Sequence, residues 1–150
     1  MGKKTMYNMW DKLQEIVRKD PRYSLHAYRF IFEALDYTAK NLGKNLNSSR
    51  EEERHVRGQQ LLEGIRKYAM KEMGYMSPTV FELWGIKHDE DFGEIVFNLV
   101  ESGLMGKTDS DSRQDFKAAC DFKTFFDNNF KFDGNFDIKL AWDYSWQKSR

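Results

Sequence analysis

The side chains best equipped for chemistry in this 150-residue chain are its histidines and the arginines beside them. His55 is flanked by Arg54 and Arg57, and His88 stands where a helix is expected to begin. Guanidinium groups and a helix N-terminus both favour negative charge, so Arg54, His55, Arg57 and His88 together would make an anion or partner-binding site. The competing reading is that the arginines are solvated and His88 serves only as a cap. Trp84 joins these binding candidates; with Trp10, Trp142 and Trp146 it reads as a core or interface anchor rather than a platform for stacked bases.

Other chemistry is sparse. Glu51 and His55 are four apart, but two ligands at helical spacing fall short of a metal site. His26 falls in the first turn of a helix, and Cys120 lies on an apolar helix face, where a thiol behaves as a small core residue. Asp109 and Asp111 resemble the start of a calcium loop, but Arg113 stands where a third oxygen ligand belongs. Gly103 and Gly106 are too few to cradle a phosphate. No zincin, nucleophile-elbow, Walker or dinucleotide motif occurs. The expectation is a chain without catalytic residues or a cofactor.

The elements that would position these groups follow from periodicity. Met6, Met9, Trp10, Leu13, Ile16 and Val17 form one helical stripe over about 7–19, closed by Asp20 and Pro21. A second helix opens near the cap Ser24, buries Ala27, Phe30, Ile31, Ala34, Leu35, Thr38 and Leu42, and stops at Gly43. The polar run 44–53 is expected to be a mobile loop. A third helix, about 57–73, buries Leu61, Leu62, Ile65, Tyr68, Ala69 and Met73. Gly64 allows another element close to it, and Arg66, Lys67 and Lys71 pair with Glu63 and Glu72 on its surface. In 77–108, Ser77 caps a short helix opened by Pro78, Gly85 ends it, Asp89 caps the next and Gly103 closes that. Residues 104–107 read as a short strand. This helix, turn, helix and strand order is like the core of a winged helix. A helix over about 113–128, capped by Ser112, and a hairpin with a three-residue Asp133–Asn135 loop complete an α+β fold. That fold is mainly helical, with five to six helices, in a single domain over 1–150.

Charge decides how the winged-helix analogy is read. Residues 1–76 carry 15 Lys and Arg against 10 Asp and Glu; residues 77–115 carry 3 against 9. A groove-reading helix should bring basic residues to phosphates, yet the one at 89–103 carries Asp89, Glu90, Asp91, Glu94 and Glu101. Nucleic-acid binding is therefore disfavoured there. It would have to use the basic residues within 50–71: Arg50, Arg54, Arg57, Arg66, Lys67 and Lys71. The leading expectation is a non-enzymatic interaction module that binds a protein, or a second copy as a homodimer. Its interface would include Asp89, Glu90, Asp91 and Glu94, and Trp142, Tyr144 and Trp146 of the tail strand. The alternative expectation for the acidic residues is that they pack on the basic front half of the chain. With 40% apolar and 32% charged residues, one cysteine and no apolar run of about 18 residues, the chain reads as soluble and cytoplasmic, with no membrane span.

Several phrases recur together in order: RHVRGQQLLEGIRKYAMKEMG from Arg54, then TVFELWGI, EDFGEIVFNLVESGLMGKT and DSRQDF, after an AYRF–EALDYT helix between Tyr23 and Thr38. Over about residues 8–128 they resemble a small bacterial protein family of unknown function. The resemblance implies a soluble bacterial protein and carries no catalytic residues. Where this chain has Arg57 the family more often has Ser or Thr, a hydroxyl that would cap the third helix. This chain must cap that helix by other means.

Overall fold

The structure is a computed structural model that describes residues 2–106, with side chains from Met9 onward except Glu51, together with Phe116, Phe125 and Phe126. The described chain is helical. The helices are α1 (Gly2–Lys19), α2 (Leu25–Asn41), the single-turn α3 (Glu51–Arg54), α4 (Gly58–Met73), α5 (Ser77–Leu83) and α6 (Asp89–Glu101), with a 3-10 turn at Gly74–Met76. The expected hairpin, the Ser112 cap and most of the 113–128 helix fall outside the described residues, as do Cys120, Asp109 and Asp111.

The central helix is α2, which packs against α4, α6 and α1. Small residues on its inner face make this possible: Ala27 and Ala34 are fully buried with Ile31 between them. On the facing helix, Gly64 meets Thr38 so closely that a Cβ would overlap its side chain. The Thr38 hydroxyl is turned back to donate to the Ala34 carbonyl at 2.6 Å, so it needs no partner across the interface. Phe81 joins three parts of the core. Its ring lies 5.6 Å from that of Phe30 on α2, 5.1 Å from that of Phe92 on α6 and 6.3 Å from that of Phe126.

The turn between α5 and α6 is fixed by backbone contacts. Gly85 takes a φ of 91° and lies against the Arg22 carbonyl, where any Cβ would collide. Next to it, Ser24 N–H donates to the Trp84 carbonyl at 3.0 Å. Ser24 also caps α2, accepting the His26 N–H at 3.1 Å. One serine thus starts α2 and holds the α5–α6 corner against it.

Several local expectations are corrected. Helix α1 begins at Gly2 rather than near residue 7. Ser77 is the first residue of α5 rather than its cap. It is buried, and its hydroxyl faces the carbonyls of Gly74 at 2.6 Å and Ala69 at 3.0 Å, to either of which it can donate at the end of α4. Asp89 is likewise the first residue of α6 and His88 its cap. Within the expected loop 44–53, residues 51–53 belong to the helical turn α3, and Asn45 N–H donates to the Glu53 carbonyl and the Ser48 hydroxyl to the Glu53 carboxylate. Residues 104–106 are turn rather than strand. The N–H groups of Leu104 and Met105 both donate to the Leu99 carbonyl, so neither is offered to a neighbouring strand. Leu42, expected in the core, is exposed, and Tyr28 is buried instead.

The Gly64 contact generates a prediction. Alanine would gain up to about 1 kcal/mol in helix propensity. Overpacking against Thr38 costs about 1–3 kcal/mol. Gly64→Ala should therefore lower the urea midpoint, and adding Thr38→Ala should recover part of the loss.

Candidate functional site

The acidic residues of α6 are sorted by the fold. Asp89 is buried, and its Oδ1 accepts from Arg66 Nη2 at 2.9 Å. Arg66 is itself buried, with its guanidinium over the Phe125 ring at 5.0 Å, so it is not part of the surface pairing expected for α4. Asp91 spans two elements. Its Oδ2 accepts the N–H groups of Lys87 and His88 at 2.8 and 2.9 Å, and its Oδ1 accepts the Tyr23 hydroxyl at 2.6 Å. Burial, then the Asp91 hydrogen bond, pushes the Tyr23 phenol well above its ordinary range. Glu94 lies 3.5 Å from Arg22. Glu90 and Glu101 remain exposed.

Beside them, Arg22 grips Asp20 with two hydrogen bonds of 2.8 and 2.7 Å. Asn98 of α6 donates to both Asp20 and the Tyr28 hydroxyl at 3.0 Å. The Arg22 hydrogen bonds hold the Asp20 carboxyl well below its ordinary value of 3.8, Asn98 adding to this and burial opposing it.

The histidines and arginines separate into two places. Arg54 and His55 line a groove of about 420 Å³. Its walls come from Phe32 and Leu35 of α2, Leu46 of the loop, Val56 and Leu61 around the start of α4, and Val96, Phe97 and Val100 of α6. Leu104, Met105 and Phe116 complete them. His88 caps the other end of α6, about 12 Å along the helix from Val96, at about 1.5 Å per residue. Arg57 is the exposed N-cap of α4. Its side chain makes no cap hydrogen bond, while its N–H donates to Gln60 Oε1 at 3.0 Å, the reciprocal half of a capping box. Trp84 is half-buried, its ring 5.5 Å from that of Phe30. The groove's apolar residues were not marked as a site by the sequence. The signal was present in Phe32 and Phe97, which extend α2 and α6 beyond a single buried stripe.

Of the other basic residues within 50–71, Arg50 lies 3.7 Å from Glu53 and Lys67 lies 3.1 Å from Glu63. The Lys71 ammonium sits 5.5 Å from the Tyr37 ring. Among the described residues, besides Leu42 and Leu46, two apolar patches are exposed: Met9 and Trp10 on α1 (39% and 50%), and Tyr75, Met76 and Leu83 around α5 (60%, 51% and 78%). Among the described residues there is no group of three or more His, Cys, Asp or Glu side chains suited to a metal, and no helix long and apolar enough to cross a membrane. Trp142, Tyr144 and Trp146 lie outside the described residues.

Two predictions follow from the α6 contacts. Asp89→Ala removes the carboxylate that accepts from the buried Arg66 at 2.9 Å and should cost up to about 3–5 kcal/mol in urea unfolding. The double variant Arg66→Met/Asp89→Leu should recover most of it. Asp20 has a folded pKa below its unfolded one, so its ionised form stabilises the fold fully above about pH 4 and progressively less as pH falls toward the folded value. Asp20→Asn should therefore be less stable than the parent near neutrality and show a shallower loss of stability between about pH 4 and about pH 2.

Compared with protein-family models, curated proteins and solved structures, the chain matches none.

Proposed function

We propose that this chain is a non-enzymatic protein-interaction module whose partner is a second copy of itself. The observation that carries this reading is the outer face of α5. Met76, Val80 and Leu83 follow one another at helical spacing, with Tyr75 beside Met76. Three of these four side chains are more than half exposed. Single exposed apolar residues are ordinary, whereas a run on one face marks an interaction surface.

A second copy suits this face because the chain carries its complement. On α1 the stripe that buries Leu13 and Ile16 continues outward to Met9 and Trp10. Helix α1 bears five Lys and Arg against two acids, while 77–101 bears one Lys against six acids, with Glu82 and Glu90 exposed. Docking α1 of one copy on α5 of the other covers apolar surface on both and brings opposite charges together. A two-fold exchange of that contact closes a dimer. The basic surface supports nucleic-acid binding less well, because Arg66 is buried and Arg50 and Lys67 face carboxylates. The same proposal takes the chain as a member of the bacterial family it resembles. It also takes the helix, turn and helix of 77–103 as a helix-turn-helix-like unit, followed by turn rather than strand at 104–106, within one α+β domain that ends in a hairpin.

Sedimentation velocity should find a dimer that weakens with added salt. Leu83→Asp and Trp10→Asp should each loosen it at least about tenfold, the scale of burying one large apolar side chain. A monomer at every accessible concentration would overturn the proposal.

A further inference from the structure

The groove at Arg54 and His55 lies on residues other than the two exposed patches and bears on a different ligand. We propose that it is a binding site for a small amphipathic carboxylate, a molecule with an apolar body and one anionic head. At about 420 Å³ its volume falls within the range of small-molecule sites. Taking about 30 Å³ for each small group, it holds a ligand on the order of a dozen non-hydrogen atoms.

The chemistry of the lining sets the class of that ligand. Phe32, Leu35, Leu61, Val96, Val100 and Phe116 offer the body only apolar contact. Phe116 is held in place because it packs on Gly93, where a Cβ would come within 3.0 Å of it. Among the described lining residues the polar side chains are Arg54 and His55, and there is no carboxylate. Among these described residues an anion meets a guanidinium and no carboxylate, whereas an amine would meet a guanidinium. Arg54 is exposed at the rim and anchored by its Nη1, which donates to the Ser48 carbonyl at 3.3 Å. A guanidinium carries five N–H donors in a fixed fork that matches carboxylate and phosphate alike, and its one positive charge balances the single charge of a carboxylate. The head then stays at the wet edge while the body enters the groove.

Titration calorimetry with decanoate, below its micelle concentration, tests this directly, with decanol and decyl phosphate as comparison ligands. Decanoate should bind saturably at one site per chain and more tightly than either. Arg54→Gln should weaken decanoate about tenfold or more, the scale of a charged hydrogen bond, and leave decanol unchanged. Val100→Trp should abolish binding by filling the groove, with its fold checked by circular dichroism. Should that variant not fold, Arg54→Gln carries the test, since Arg54 is exposed. Absence of saturable decanoate binding, or binding untouched by Arg54→Gln, would overturn the proposal. Equal affinity for decanol would overturn the anionic head, and tighter binding of decyl phosphate would overturn the carboxylate.

Discussion

The buried contact between Arg66 and Asp89 constrains the rest of the described fold. Moving either charge out of water is costly, and a buried ion pair repays that only when its geometry is good and its remaining groups are satisfied. Here the N–O distance is 2.9 Å and the Phe125 ring lies against the guanidinium, but the buried Arg66 Nε makes no hydrogen bond among the described residues, so the pair specifies the packing more than it stabilises it. The pair joins the middle of α4 to the first residue of α6. It therefore fixes where α6 starts, and with it the direction from which Ile95 and Leu99 reach the core.

Once that end is set, the other polar contacts of α6 fall into line along the helix. Asp91 is in the first turn, where a carboxylate can receive the open N–H groups of the helix start. It takes those of Lys87 and His88 and still has an oxygen for Tyr23. One turn further Glu94 meets Arg22, and one turn beyond that Asn98 reaches Asp20 and Tyr28. The α1–α2 link is thus fastened along one side of α6 by partners at three- and four-residue steps. Of the six acids in 77–101, Asp89, Asp91 and Glu94 bond within the fold, Asp89 and Glu94 to arginines of the basic front half, while Glu82, Glu90 and Glu101 stay exposed. The charge asymmetry along the chain thus serves packing with one half of these acids and leaves the other half at the surface.

This sorting explains which features were legible in the sequence. Helix ends marked by Gly43, Gly74, Gly85 and Gly103 could be read because each of these glycines has a positive φ, a local property of the backbone. The stripes on α2 and α4 could be read because period and burial agree. Ser77 and Asp89 could not be read correctly, because their side chains answer to tertiary partners instead of their own helix ends. Both look like caps in sequence, and both are buried one residue inside the helix. Arg66 was misread for the same reason. Glu63 is its neighbour along α4, but Glu63 pairs with Lys67, and the carboxylate that holds Arg66 lies 23 residues on. Arg54 and His55 could be singled out as charge-bearing neighbours. The apolar groove they border could not, because it is formed by segments far apart in the chain.

The groove has its own physical origin. Helix α2 presents its narrow inner face, Ala27, Ala34 and Thr38, where neighbours must come close, and carries Phe32 and Leu35 to one side. Helix α6 does the same, burying Phe92, Ile95 and Leu99 while Val96, Phe97 and Val100 stay half-buried. Two helices that each have more apolar surface than their mutual contact can cover leave a trough where the surplus faces meet. The end of α6 bounds it, because Gly103 turns the chain and brings Leu104 and Met105 back along the helix. The start of α4 bounds it from the other side, where Gly58 lies among the lining residues and adds no side chain to fill the space. The packing of α2 against α6 that stabilises the core therefore leaves, at its edge, an apolar trough with Arg54 at its rim.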